Sequence, residues 1–387
     1  MLSNNFVDAC NLIQSNFISK ILFSSIDYLQ DNFLVVADTN TSHFLNDNHQ
    51  KVIFSGDVLP TLENVEHIRS HNYQTLISLG SGTINDLCKY ASFLDGKKFI
   101  TIPTAPSVNG YTSNTASIIV DNLKQSYQAH LPEKIYLCLD ILINAPMRLI
   151  ISGFSEIICK YTTQPDWLLS HLLLGTSYTD LPFRAILDLK HYLIKNRDSI
   201  IKRNPEAIQI LMEALILSGL GMNFAGGSYP ASQGEHQIVH TMEMNNSGHK
   251  YFHGEKVAVA TVSMLKLQNF IVRNELQSSP IHMDKVIEEY YGDCAAEHIE
   301  IMHRKRANIN LQSWSHTKDS LIKIISNTEE IESMLTDVGS PTCCKDLDWE
   351  SEKYEKACWV ASASRDRFTF LDLLPYSSHA DKFSFSE

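Results

Sequence analysis

At 387 residues, with 44% hydrophobic and 20% charged side chains, the chain has an ordinary globular composition and is too long for one compact core. Its net charge of -12, with no basic stripe to offset it, excludes a nucleic-acid surface, which needs clustered Lys and Arg. Residues 1–15 show no basic segment leading into an apolar run, and apolar patches such as 211–222 read as too short to cross a bilayer, so neither a signal peptide nor membrane insertion is expected.

Residues 1–30 carry apolar positions Phe6, Cys10, Ile13, Phe17 and Ile21 at helical spacing and predict a helical packing arm. Phe33 to Asp38 is a buried-type strand ending in an acid, and Lys51 to Phe54 is a second, short one. Asp38 suits either a ribose hydroxyl at the edge of a parallel sheet or the cap of a loop before Asn40 and Thr41. Leu76 to Leu87 then reads as a strand, a tight turn through Gly80 and Gly82, and a helix start. Glycines admit a ligand close to the backbone, and first-turn amides favour an anion such as phosphate. The strict GxGxxG pattern fails for want of a third glycine, so the turn alone fits a phosphate cradle or a simple strand-to-helix corner.

Lys98 to Pro103 predicts another strand, and Thr104 to Ser113 an ordered loop at its C-terminal end, where open α/β sheets bind ligands. Ala116 to Asp121 and Tyr136 to Asp140 read as the next strands. Strands alternating with helices up to about residue 145 predict an α/β, Rossmann-like, doubly wound parallel sheet over residues 1–145. From Ala145 the pattern turns helical through 151–174, 182–195, 205–222, 233–244 and 254–273, which predicts an all-α domain over residues 146–387. The eight cysteines lack CxxC spacing and read as free thiols of a reducing cytoplasm, with the vicinal Cys343 and Cys344 an incidental loop feature.

Three pieces of the helical part carry metal-type donors. Glu156 is a carboxylate among apolar neighbours, His236 and His240 lie four apart on one helix face, and His253 opens a helix. One carboxylate with two or three imidazoles is a donor set for a divalent ion with an open coordination position. A zincin is excluded, because Gln237 stands where that motif needs Glu.

Gly80 to Asp86, Pro103 to Ser113, Gly153 to Trp167, Ser228 to His240, His253 to Lys256 and Arg365 to Leu374 together resemble the bacterial sn-glycerol-1-phosphate dehydrogenases. That family lies within the iron-containing alcohol dehydrogenase and dehydroquinate synthase-like superfamily. The resemblance implies NAD(P)-dependent reduction of dihydroxyacetone phosphate, a phosphorylated small-molecule substrate, to sn-glycerol 1-phosphate. It implies Gly80, Ser81, Gly82, Thr83 and Ile84 at the pyrophosphate, and Thr104, Ala105, Pro106, Ser107 and Ser113 beside the nicotinamide. It implies Glu156, His236 and His253 on one divalent metal (zinc, nickel or iron), Asn109, Glu156 and His240 at the substrate, and His240 with Asn109 as catalytic positions. Relatives form homodimers, so a homodimer is implied too. Two positions depart from the family pattern, which has Asp where this chain has Asn109 and usually Asp where it has Glu156. Lys160 and Lys256 are candidates for the substrate phosphate by charge. The competing enzyme reading is a dehydroquinate synthase-like, NAD-dependent sugar-phosphate cyclase, disfavoured because residues 103–113 contain no lysine. From another class comes a catalytically silent family member that binds or scaffolds.

Overall fold

The computed structural model describes residues 1–23, 33–45, 50–120, 123–244 and 250–386. Residues 24–30 of the expected N-terminal helix and Asp121 lie outside them. The chain forms two compact units, Met1–Ile157 with Arg184–Gly226, and Ile158–Phe183 with Gly227–Glu387.

The first unit is built on six parallel strands: β1 Ile21–Phe23, β2 Phe33–Asp38, β3 Gln50–Phe54, β4 Thr75–Gly80, β5 Lys98–Pro103 and, after two strands described below, β8 Lys134–Leu137. Their spatial order is β1-β8-β5-β4-β2-β3. Strand alternation divides each sequence between two cores. Leu34, Val36 and Leu76 join Val65, Ile68, Leu87 and Ala91 from the helices α2 Leu62–Arg69 and α3 Gly82–Leu94. Val35, Ala37, Ile77 and Leu79 point the other way, into a core with Cys138 and Ile141. Apolar runs buried on both faces are what a doubly wound sheet requires, and that architecture is present. The chain runs outward to β3, then returns to β4 on the other side of β2, so the strand order reverses between β2 and β4. The C-terminal ends of those strands, Asp38 and Gly80, flank the kind of crevice in which open α/β sheets bind ligands.

Three local expectations are corrected. The N-terminal arm is helical only over α1 Asn4–Leu12 and a 3-10 turn at Asn16–Lys20, after which Ile21–Phe23 joins the sheet edge beside β8. The second is Ala116–Val120. That segment, within β6 Thr115–Val120, is not in the parallel sheet; it pairs antiparallel with β7 Leu123–Gln128, because two intervening residues are too few for a parallel crossover. The strand expected over 136–140 stops at Leu137, and α4 Leu139–Ile143 follows.

The first unit also contains α5 Met147–Ile158 up to Ile157 and, after α6 Lys160–Leu174, α7 Leu181–Ala185, α8 Leu187–Lys195 and α9 Arg197–Ile201, the helix α10 Pro205–Phe224. Asn204 caps α10 by accepting from the amides of Glu206 and Ala207, and Pro205 suits its first turn. At 20 residues this helix is long and apolar enough to cross a membrane, contrary to the expectation from the shorter patch, but it is mostly buried within the protein. Glu213 at its middle accepts a hydrogen bond from the Ser3 amide at 3.0 Å.

In the second unit every regular element described is helical. α11 Gly234–Met244 and α12 His253–Arg273 pack through Ile238, Val239, Val257 and Ala260 into a core closed by Trp314, Tyr354, Phe370 and Leu373.

Candidate active site

In the first unit the glycine corner is sterically enforced. A Cβ on Gly80 would sit 2.6 Å from the Cβ of Ile84, so only glycine lets α3 turn back this tightly over the strand. Ser81 is the N-cap of α3 and makes no side-chain cap bond, which leaves the first-turn amides without that internal acceptor. Gly82 faces Val108 of the following loop, Thr83 is partly exposed, and the Thr104 amide donates to the Gly80 carbonyl at 3.2 Å. Across the switch point, Asp38 Oδ1 accepts from the amides of Asn40 and Thr41 at 2.9 and 3.0 Å, and the Thr41 hydroxyl reaches the Leu79 carbonyl at 2.9 Å. Asp38 is therefore a loop cap, and one oxygen carries its bonds.

The loop from Thr104 to Ser113 is held from three sides within this unit. Tyr111 donates to the Ala105 carbonyl at 2.8 Å, Ser152 to the Ser107 carbonyl at 3.4 Å, and Ser113 to the Thr115 carbonyl at 2.8 Å. Gly153 admits the Pro106 carbonyl, which lies 1.8 Å from where a Cβ would be, and Gly219 likewise admits the Asn109 carbonyl at 2.5 Å. From beneath, the fully buried Lys89 donates to the carbonyls of Gly110 and Thr115 at 2.5 and 3.0 Å, with Asp86 at 3.4 Å. Asp86 in turn accepts from the Ser117 amide at 3.0 Å. Burial lowers the Lys89 pKa, opposed by the Asp86 charge. The loop thereby presents Asn109, whose amide donates to Glu156 at 3.0 Å and to Ser218 at 3.4 Å. Glu156 is buried.

In the second unit the histidines converge. His236 Nδ1 lies 2.8 Å from Glu235 Oε1, and its Nε2 lies 3.2 Å from Nε2 of His253. A carboxylate on Nδ1 selects the tautomer whose Nε2 carries a lone pair, the form that ligates metals. Two imidazoles turned nitrogen to nitrogen beside such an orienting carboxylate fit a divalent ion. Glu235 is itself fixed by the Gln233 amide at 2.8 Å and the Thr162 hydroxyl at 3.0 Å. Burial pushes the Glu235 carboxyl up, but its hydrogen bonds to His236 and to the Gln233 amide hold it below the ordinary value. Cys159, Glu235 and His236 also offer donors within 4.8 Å of one another, although both oxygens of Glu235 already have partners. His240, a turn further on, has its ring centre 6.3 Å from that of His236 and its Nδ1 3.8 Å from Glu243.

The start of α11 is anchored by Asp166, which accepts from the amides of Gly234 and Phe370, each at 3.0 Å. Gln237 has a packing role: it donates to the Arg367 carbonyl at 3.0 Å and accepts from Thr369 at 2.9 Å. Lys256 forms an ion pair with Glu243, and Lys160 reaches Cys159 and the Ala231 carbonyl, each at 3.4 Å.

Sequence reasoning missed Glu235, Lys89 and the arginines Arg365 and Arg367. Asp86 and Lys89, three apart on the helix after the glycine corner, gave a signal that a buried ion pair lay on its inner face. Glu235 was hidden by standing next to the histidine it orients.

The iron-containing alcohol dehydrogenase family model matches residues 27–146. A glycerol-1-phosphate dehydrogenase [NAD(P)+] of Halalkalibacterium halodurans is 33% identical over 76% of this chain and 69% of its own length. Its namesake in Geobacillus thermodenitrificans is 28% identical over 78% and 71%. A solved structure of a probable glycerol dehydrogenase from Sinorhizobium meliloti 1021 shares the fold, with a TM-score of 0.64 at 17% identity over 91% of both chains. The chain belongs to the glycerol-1-phosphate dehydrogenase family of iron-containing alcohol dehydrogenases.

Proposed function

We propose that the chain is an NAD(P)H-linked, metal-dependent oxidoreductase that reduces dihydroxyacetone phosphate to sn-glycerol 1-phosphate. The observation that carries this reading is the His236–His253 pair, with His236 oriented by Glu235 at 2.8 Å. When bound, the ion supplies Lewis-acid polarisation of the ketone and the dinucleotide supplies the hydride.

In this reading residues 1–145 carry the nucleotide and residues 146–387 the ion and substrate. Gly80, Ser81, Gly82, Thr83 and Ile84 receive the pyrophosphate at the first turn of α3, with Asp38 across the switch point. Thr104, Ala105, Pro106, Ser107 and Ser113 line the nicotinamide side in a loop whose backbone Lys89 and the helical glycines keep in place. Glu156, His236 and His253 hold the ion. Asn109 and His240 contact the substrate, and His240 relays the proton that the product alcohol needs. The protein works as a cytoplasmic homodimer.

The test is a panel of phosphorylated ketones with NADH and NADPH, run with zinc, nickel or iron. Net oxidation of the reduced cofactor with dihydroxyacetone phosphate, yielding the sn-1 product, supports the reading. Conversion of a sugar phosphate without net cofactor consumption indicates a cyclase, and metal-free, NADH-blind protein indicates a silent member.

A further inference from the structure

In the second unit, two arginines two residues apart converge on one short segment. Arg365 donates to the Ser232 hydroxyl at 3.2 Å. Arg367 donates to the Ser228 hydroxyl at 3.1 Å and to the Ser232 carbonyl, and its guanidinium lies 4.5 Å from the centre of the Tyr229 ring. The Arg367 amide donates to the Arg365 carbonyl at 2.8 Å, closing a tight turn centred on Asp366. Asp366 pairs with Arg304 at 3.0 Å.

Of the neighbouring cations of this unit, Lys256 is paired with Glu243, and Lys305 and Arg306 with Asp372, whereas Lys160, like Arg367, donates to a backbone carbonyl. Arg365 and Arg367 form no ion pair among the described residues. The carboxylate they feel electrostatically is Glu235, whose oxygens are taken by His236, Gln233 and Thr162. Burial lowers the pKa of both, and with repulsion from Arg365 it brings Arg367 down to about 10. Two like charges, partly desolvated and lacking a counter-ion, favour an anion, and planar forks match a tetrahedral oxyanion in two-point fashion. Both are only partly buried, and Tyr229 beside them is exposed. The segment they grip, 228–232, leads directly into α11, which carries His236.

We propose that Arg365 and Arg367 bind the phosphate group of the substrate. This rests on the reduction of a phosphorylated ketone proposed above, and it displaces Lys256, which is already paired with Glu243, from that role. A phosphate monoester is close to dianionic at neutral pH, so two guanidinium groups match its charge.

Two measurements test it. In the first, Arg365→Gln and Arg367→Gln lower the ratio of kcat/KM for dihydroxyacetone phosphate to that for dihydroxyacetone by about 10- to 100-fold, while the KM for NADH stays within about twofold. Arg365→Lys, which keeps the charge and loses the fork, gives a smaller drop. An unchanged ratio, or an effect confined to the KM for NADH, overturns the assignment. The second uses the unmodified protein: millimolar inorganic phosphate protects Arg365 and Arg367 from phenylglyoxal, mapped by mass spectrometry. This arm needs no variant to fold and no turnover. Protection in a protein that fails to reduce dihydroxyacetone phosphate upholds the anion site and removes the proposed function. Absence of protection overturns the site.

Discussion

The side-chain amide of Asn109 donates a 3.0 Å hydrogen bond to the carboxylate of Glu156. These are the two positions at which the resemblance to the family implies Asp, and within the first unit they meet. An Asp at 109 would set a second carboxylate against the longer Glu156, whereas Asn supplies a donor and fixes which oxygen is turned away. Asn109→Asp alone is expected to weaken metal binding by about tenfold or more, and the pair Asn109→Asp with Glu156→Asp to recover part of the loss, with a coupling of about 1–2 kcal/mol. Titration calorimetry on the four proteins of the cycle measures it; strictly additive effects would show that the bond does not position Glu156.

In the proposed site Glu235 acts on the ion through His236, whose Nδ1 it holds at 2.8 Å. Glu235→Gln can keep bonds to Thr162 and the Gln233 amide but loses the charge that selects the His236 tautomer. Metal affinity should fall by about 10- to 100-fold with the helical content intact, read by elemental analysis after dialysis and by circular dichroism. Metal content equal to that of the parent protein would remove Glu235 from the site.

Lys89 connects stability to the cofactor loop. Its ammonium satisfies the carbonyls of Gly110 and Thr115 and faces Asp86. Lys89→Met leaves those groups buried without their donor and is expected to cost about 2–4 kcal/mol in urea unfolding, with weaker NADH binding. The pH dependence has a definite sign. Burial depresses the folded pKa below the ordinary 10.5, so the unfolded chain binds this proton more tightly. The Lys89 contribution to stability is present in full above 10.5 and is lost as pH falls through the folded value. Lys89→Met should therefore show a shallower rise of stability with pH on the alkaline side than the parent.

Much of this was legible in the residues. The run ending in Gly80 announced a strand and a tight corner because a 2.6 Å approach of Ile84 leaves no room for any other side chain. Strands buried on both faces, such as Phe33–Asp38, are continuous apolar runs and were found as such. Ile21–Phe23 was not, since three residues at a sheet edge are too short to break a helical periodicity already begun at Phe6. Ala116–Val120 has the composition of a buried strand, and only its two-residue connection distinguishes a hairpin from a crossover. At the site, His236 and His253 were visible through the motifs that carry them. The bond between Asn109 and Glu156, 47 residues apart, and the convergence of Arg365 and Arg367 on 228–232 depend on tertiary folding, and no local spacing encodes them.

Whether the paired histidines hold the ion on which ketone reduction depends is tested most directly by turnover of dihydroxyacetone phosphate in metal-stripped and metal-reloaded protein, with His236→Ala alongside. The expected result is NADH oxidation that vanishes on stripping, returns on reloading with zinc, nickel or iron, and does not return in His236→Ala although that variant remains folded. Undiminished turnover in stripped His236→Ala protein would contradict the assignment.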